Sequence, residues 1–279
     1  MAEWRMLALP PVLLAPSVVP NAITRAGFYD LTQGSILGYF PRALEQLAKL
    51  LPALLALPWE QREVVVMGRR VQQPRQICYF ADSPTLTYTY SGLTLSPLPW
   101  GSGAVAQIKE AVERLVASES AAAGLPGAGN PSSGASASDC AGSQGTDAGF
   151  SDDNGGGGGG GEGASSSGGG AFNSCLLNLY EDGSRYVGWH RDDDKVFGSE
   201  PEIVSVSFGA TRDFHLREAA AGGGAARRRL CVRLSPGDVL VMRGALQRRW
   251  QHALPKRAGV DGPRVSLTFR RIVAPEAAR

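Results

Sequence analysis

The feature that most limits how this chain can fold is the stretch 117–171, which is dominated by Gly, Ser and Ala and contains an unbroken glycine run from Gly155 to Gly161. Such a segment cannot bury enough apolar surface to offset the entropy of ordering it, so it is expected to be a disordered insert. A folded body must then be assembled from 25–116 and 172–274, flanked by an N-terminal tail, 1–24, and a C-terminal tail, 275–279. The tract also masks the charge of the remainder. The chain has 28 basic and 26 acidic residues, a balance of +2. Six of the acids (Glu119, Asp139, Asp147, Asp152, Asp153 and Glu162) lie in the tract, which has no Lys or Arg. The rest stands at 28 against 20, or +8, a sign suited to a polyanionic partner, although a basic surface without a partner gives the same number.

Within the two folding segments the periodicity is mostly that of strands. Residues 41–57 read as helical, with Leu44, Leu47, Leu51 and Leu55 recurring at helical spacing and Pro52 kinking or dividing the run. A second helix fits 103–116, where Val105, Ile108, Val112 and Leu115 share a face. Strands are expected at 64–67, 76–80, 86–90, 173–180, 203–208, 211–217, 230–234, 238–242 and 264–272, separated by turn clusters such as Ser235-Pro236-Gly237-Asp238. Helices come early and strands late, without β-α-β alternation. That order favours a mostly β (α+β) fold, an antiparallel sandwich or jelly roll buttressed by N-terminal helices. Cys78, Cys140, Cys175 and Cys231 form no C-x-x-C pair and no disulfide framework, and no apolar run is long enough to span a bilayer. A soluble, intracellular protein without a membrane partner is expected.

Only three histidines are present. In an extended segment His190 and Asp192 point to one side while Arg191 points to the other. With His252 they form a set of two imidazoles and one carboxylate that leaves metal positions open for a chelating co-substrate and dioxygen. An H-x-D pair alone also occurs on ordinary surfaces, and His215, alternating with Phe214, reads as a structural histidine. The strand 264–270 carries more weight. Its alternation puts Arg264, Ser266, Thr268 and Arg270 on one face and Val265, Leu267 and Phe269 on the other. Arginines turned inward are costly unless they meet anions, and a dicarboxylate would satisfy them bidentately. The competing reading is an edge strand with solvated arginines. Asn178 and Tyr180 form a second alternating polar pair.

With these residues in view, the chain resembles the AlkB family, in particular its eukaryotic DNA-repair homologues. The resemblance covers 74–100 and 172–272, through the motifs PRQICYF, LTYTYSGLTLSPLPW, FNSCLLNLYEDG, HRDDD, SFGATRDF, WQHALPK and RVSLTFR. It implies a double-stranded β-helix with a nucleotide-recognition lid in 25–116 and the catalytic core in 172–274. It implies that His190, Asp192 and His252 bind Fe(II), that Asn178, Tyr180, Arg264, Thr268 and Arg270 hold 2-oxoglutarate, and that Arg270 lies near the metal end. It places Tyr88, Tyr90 and Ser91 on the lid, Asp193 and Asp194 at the base pocket, and Met67, flanked by Gly68 and Arg69, at a hairpin tip where relatives carry an aromatic wedge. Methionine can still intercalate but stacks less well. Ser266 stands where family members usually have Asn, so a hydrogen bond near the co-substrate is expected to be shorter or absent.

The activity so implied is demethylation of 1-methyladenine or 3-methylcytosine in DNA, expected to be single-stranded, by a monomeric nuclear repair enzyme using Fe(II), 2-oxoglutarate and O2. The buried target atom requires a flipped or already unpaired base. RNA is the alternative nucleic acid. Arg227–Arg229 and Arg243, Arg248 and Arg249 are candidate phosphate contacts. An oxygenase acting on a protein or small molecule and an inactive nucleic-acid-binding relative are the rivals. A zinc hydrolase fits less well, because no general base sits beside the H-x-D pair.

Overall fold

Strands whose alternate residues are both apolar and polar need two different environments, and the computed structural model supplies them as two faces of one sheet. It describes residues 22–126, 171–193, 195–219 and 228–273. The larger sheet contains β1 (Gly27–Asp30), β2 (Ser35–Phe40), β5 (Gln76–Ala81), β8 (Ser174–Tyr180), β10 (Ile203–Gly209), β13 (Val239–Gly244) and β15 (Arg264–Arg270), in the antiparallel order β1-β2-β13-β10-β15-β8-β5. The smaller sheet has the order β12-β11-β14-β9, from β9 (Val187–His190), β11 (Arg212–Glu218), β12 (Arg229–Leu234) and β14 (Trp250–Leu254). Two hairpins stand apart: β3 (Glu63–Val66) with β4 (Arg69–Gln72), and β6 (Tyr88–Tyr90) with β7 (Leu93–Leu95).

One face of the larger sheet is closed by helix. Val204, Val206, Val241, Val265, Leu267 and Phe269 pack against Val105, Ile108, Val112 and Val116 of α2 (Ala104–Ala122), with α1 (Leu51–Leu55) alongside. The other face meets the smaller sheet through a second apolar cluster that includes Leu37, Leu240, Phe214, Leu216 and Trp250. This is the jelly-roll arrangement that the strand pattern implied.

Several expectations need correction. The helix at 41–57 divides into a 3-10 segment, Glu45–Leu50, and the single turn of α1, with Pro52 in the first turn of the latter, where its missing N–H costs nothing. Helix α2 runs six residues past its expected end at 116 and takes the first part of the Gly/Ser/Ala tract with it. Val116 and Ser120 extend its buried stripe, and Ser120 accepts a hydrogen bond from Arg243 of β13 at 2.7 Å. The tract from 127 to 170 lies outside the described residues. Strands β1, β2, β7, β9 and β14 were not among the expected strands, while β4 is the second arm of the hairpin expected around Met67; β1 and β2 attach the segment 27–40 to the main sheet.

Candidate metal centre and co-substrate cavity

The three ligand candidates converge because of strand pairing. His190 ends β9 and His252 sits in β14 as its direct cross-strand partner, next to a bulge. Their rings lie 4.2 Å apart between centroids. Asp192 follows two residues after the strand ends, and its Oδ1 lies 3.8 Å from His190 Nε2. The ligand atoms of all three fall within 4.8 Å of one another. His215 faces elsewhere: it is half-buried and tilted against Trp189.

The environment prepares each group for ligation. Burial works against the charge on Asp192, but Arg270 first, then His252 and His190, holds its carboxyl well below the usual carboxylate range. Arg270 donates to Asp192 Oδ2 from Nη2 at 2.6 Å and from Nε at 3.3 Å. That fixes one carboxylate oxygen and leaves the other turned to His190. Burial, reinforced by His190, pushes His252 down to about 3, so the ring is neutral and able to donate a lone pair. Phe214 stacks on it at 5.3 Å. The backbone N–H of Asp192 donates to Gln247 Oε1 at 3.0 Å. Gln247 is buried on the one-turn helix α3 (Leu246–Arg249), and nothing in the sequence singled it out.

The cluster lies at the wall of a cavity of about 620 Å³. The inner face of β15 forms much of the opposite wall: Arg264, Ser266, Thr268 and Arg270 all line it, as do Asn178 and Tyr180 of β8, the register partners of Ser266 and Arg264. This is the alternation read from the sequence, and the solvated-edge alternative falls because β15 is flanked by β10 and β8. Arg264 is 2% exposed. Burial pushes its guanidinium down to about 10, still charged at neutral pH. It donates to Ser207 Oγ at 2.8 Å and lies over the Tyr180 ring at 5.4 Å, and its buried Nε–H has no partner among the described residues. Asn178 Oδ1 accepts from Arg75 Nε at 2.7 Å. Ser266 Oγ is 3.3 Å from Ser205 Oγ, so the serine bonds within the wall.

The residues expected to touch substrate separate into two groups. Tyr88, Tyr90 and Ser91 line the cavity, with the two tyrosine rings stacked at 5.1 Å. Met67, Gly68 and Arg69 do not. Met67 and Gly68 are the positive-φ pair of the two-residue β3–β4 turn, and Met67 is 97% exposed. Asp193 is also absent from the cavity lining: it is exposed and pairs with Arg191 at 3.1 Å. Asp194 and Arg227 lie outside the described residues. Arg243 is no phosphate contact, being buried and bonded to Glu202 and Ser120. Arg248 pairs with Glu200, and Arg228 reaches the Leu31 carbonyl. Trp189 and Tyr186, which line the cavity, were also missed.

Two imidazoles and a carboxylate suit Fe(II), and a wall with two inward arginines suits a dicarboxylate. Comparison with known proteins agrees. Residues 36–270 match the family described as "2OG-Fe(II) oxygenase superfamily". The chain is 32% identical to the DNA oxidative demethylase ALKBH2 of Arabidopsis thaliana, covering 97% of this chain and 77% of that one. It is 29% identical to the alpha-ketoglutarate-dependent dioxygenase alkB homolog 3 of Mus musculus, over 94% and 69%. With ALKBH2 of Homo sapiens it shares 32% identity over 75% and 61%. A solved structure titled "The structure of OsALKBH1" is a looser likeness, with a TM-score of 0.44 at 17% identity over 88% of this chain and 99% of that chain. The chain is therefore a 2-oxoglutarate- and Fe(II)-dependent dioxygenase of the AlkB family.

Proposed function

We propose that this enzyme repairs DNA by oxidatively removing N-alkyl groups from bases such as 1-methyladenine and 3-methylcytosine in unpaired strands. The observation that carries this reading is a single cavity lined by the His190–Asp192–His252 cluster, the arginine-bearing face of β15 and the stacked pair Tyr88 and Tyr90. When bound, Fe(II) with 2-oxoglutarate supplies the activation of O2 that oxidises the carbon on the ring nitrogen. In this proposal His190, Asp192 and His252 hold the iron, and Arg270 keeps Asp192 ionised and aimed. Arg264, with the unpaired Nε–H, takes the distal carboxylate of the co-substrate. Asn178, Tyr180 and Thr268 shape the space around it.

The aromatic pair suits a base removed from its stack, which is how enzymes reach ring atoms hidden in a duplex. Tyr88 is buried and its ring faces Arg270 at 5.8 Å, so a base held there lies near the metal end. The hairpins β3–β4 and β6–β7 act as the nucleotide lid, joined by a hydrogen bond from the Val65 N–H to the Ser91 carbonyl at 3.0 Å. The tip at Met67, Gly68 and Arg69 would touch flanking strand rather than the reacting base. The relatives named as DNA oxidative demethylases support DNA as the substrate; in this proposal the enzyme acts on it in the nucleus, as a monomer. No helix among the described residues is long and apolar enough to cross a membrane.

The test is mass spectrometry of single-stranded DNA and RNA oligonucleotides carrying either lesion, incubated with Fe(II), ascorbate and 2-oxoglutarate. Methyl loss that requires the co-substrate, is larger on DNA and is absent in His190→Ala/Asp192→Ala is the expected result. Turnover of 2-oxoglutarate with every oligonucleotide intact would remove nucleic acid from the assignment.

A further inference from the structure

Three residues that line the cavity each have a buried polar side-chain atom with no hydrogen-bond partner among the described residues: His252 Nδ1, Arg264 Nε and Gln73 Oε1. The first belongs to the metal cluster and the second faces the co-substrate region. Only the third is an oxygen, and it belongs to neither group. Gln73 is 2% exposed, so an empty acceptor there is costly unless something comes to fill it.

The residue is held firmly. Its backbone N–H donates to the Arg62 carbonyl at 2.9 Å and its carbonyl accepts from Gln61 Nε2 at 3.2 Å. Its side-chain Nε2 donates to the Tyr90 hydroxyl at 2.9 Å, and the amide oxygen is the end without a partner. Tyr90 in turn stacks on Tyr88. The acceptor therefore belongs to the same rigid unit as the aromatic plates. Several other acceptors of the wall are engaged: Asn178 Oδ1 by Arg75, Asp192 Oδ2 by Arg270, and the Ser205 and Ser266 hydroxyls by each other. Asp193, one of the two acids expected to meet the base, pairs with Arg191, and the other, Asp194, lies outside the described residues.

We propose that Gln73 is a specificity-determining residue, whose carboxamide oxygen accepts a hydrogen bond from the exocyclic amino group of the alkylated base. The inference rests on the alkylated-base reading above. Adenine and cytosine rings alkylated at the Watson–Crick nitrogen carry such an amino group beside it, whereas a thymine ring presents a carbonyl on both sides. An amino group satisfies the open acceptor. A carbonyl leaves it unpaired and sets two oxygens against each other, the kind of mismatch by which buried polar groups discriminate.

The experiment compares kcat/KM for 3-methylcytosine and 3-methylthymine at one position of the same single-stranded oligonucleotide, in the wild type, Gln73→Leu, Gln73→Glu and Tyr90→Phe. Gln73→Leu should lower the rate on 3-methylcytosine roughly tenfold, as expected for one hydrogen bond, and leave 3-methylthymine unchanged or raised. Gln73→Glu keeps an acceptor oxygen and should retain the preference. Tyr90→Phe removes the bond that orients the amide and should shift the ratio in the same direction as Gln73→Leu, by less. A retained Co(II) absorption spectrum shows that each variant is folded with its metal cluster intact. Equal loss on both substrates, or none, in Gln73→Leu overturns the proposal. If the wild type removes methyl from neither oligonucleotide, it is the alkylated-base reading that fails.

Discussion

The two faces of β15 differ as much as any two regions of this molecule. Val265, Leu267 and Phe269 are fully buried against α2 and its neighbours, while Arg264, Ser266, Thr268 and Arg270, almost as buried, line the cavity. One face gains stability from removing apolar surface from water; the other gives some of it up by holding charge and hydroxyls away from solvent. Burial alone therefore says little about what a residue contributes. The chemistry of the face it belongs to decides whether a substitution harms the fold or the reaction.

The contrast breaks if the following order does not hold. Phe269→Ala, which empties a site between Trp100 and Phe172, should cost about 3–5 kcal/mol in urea unfolding while leaving iron ligation in the surviving folded fraction unchanged. Asp192→Ala should abolish metal binding and also destabilise, by about 3 kcal/mol, because Arg270 is left buried without its carboxylate. Metal itself comes next: Fe(II) or Co(II) at about a hundredfold over its Kd should add about 2.7 kcal/mol to the unfolding free energy, a gain absent in His252→Ala.

Arg264→Met sharpens the comparison most. Exchanging a buried guanidinium for an apolar chain should change the stability of the ligand-free protein by less than about 1 kcal/mol, in either direction. Stabilisation by 2-oxoglutarate in a thermal melt should vanish in the same variant. A cost equal to that of Phe269→Ala would make the polar face structural and erase the distinction. Met67→Ala, at an exposed tip, should leave stability within about 0.5 kcal/mol and alter only the ratio of duplex to single-strand activity.

What the sequence revealed follows the same division. The alternation in 264–270 was legible because inward arginines interrupt an otherwise apolar run, and the H-x-D spacing survives as an extended segment. The pairing of His190 with His252 was not, since β9 is a four-residue edge strand containing Gly188 and β14 ends beside a bulge. Strands β1 and β2 were hidden for a packing reason: Gly38 is needed where a Cβ would lie 2.7 Å from the Phe28 ring, and such a glycine weakens a strand pattern. The last turn and a half of α2 looked like low-complexity chain because Ala and Ser dominate it. Its burial comes from a β13 arginine that no local window contains. Gln73 and Gln247 were invisible for a related reason, as each acts through a partner distant in sequence.

Helix α2 has one more consequence. Leu125, just past its end, and Ala171, where the described chain resumes, pack on the same helix-side core, and the Phe172 N–H donates to Glu113 of that helix at 3.1 Å. Both ends of the intervening sequence are thus moored on the side of the main sheet that faces away from the cavity. Closure entropy grows only slowly with added residues. Evolution can therefore rewrite the length and composition of 127–170 without disturbing the register of any strand, and the same junction offers a protein engineer a port for a tethered payload on the blind side of the catalytic machinery.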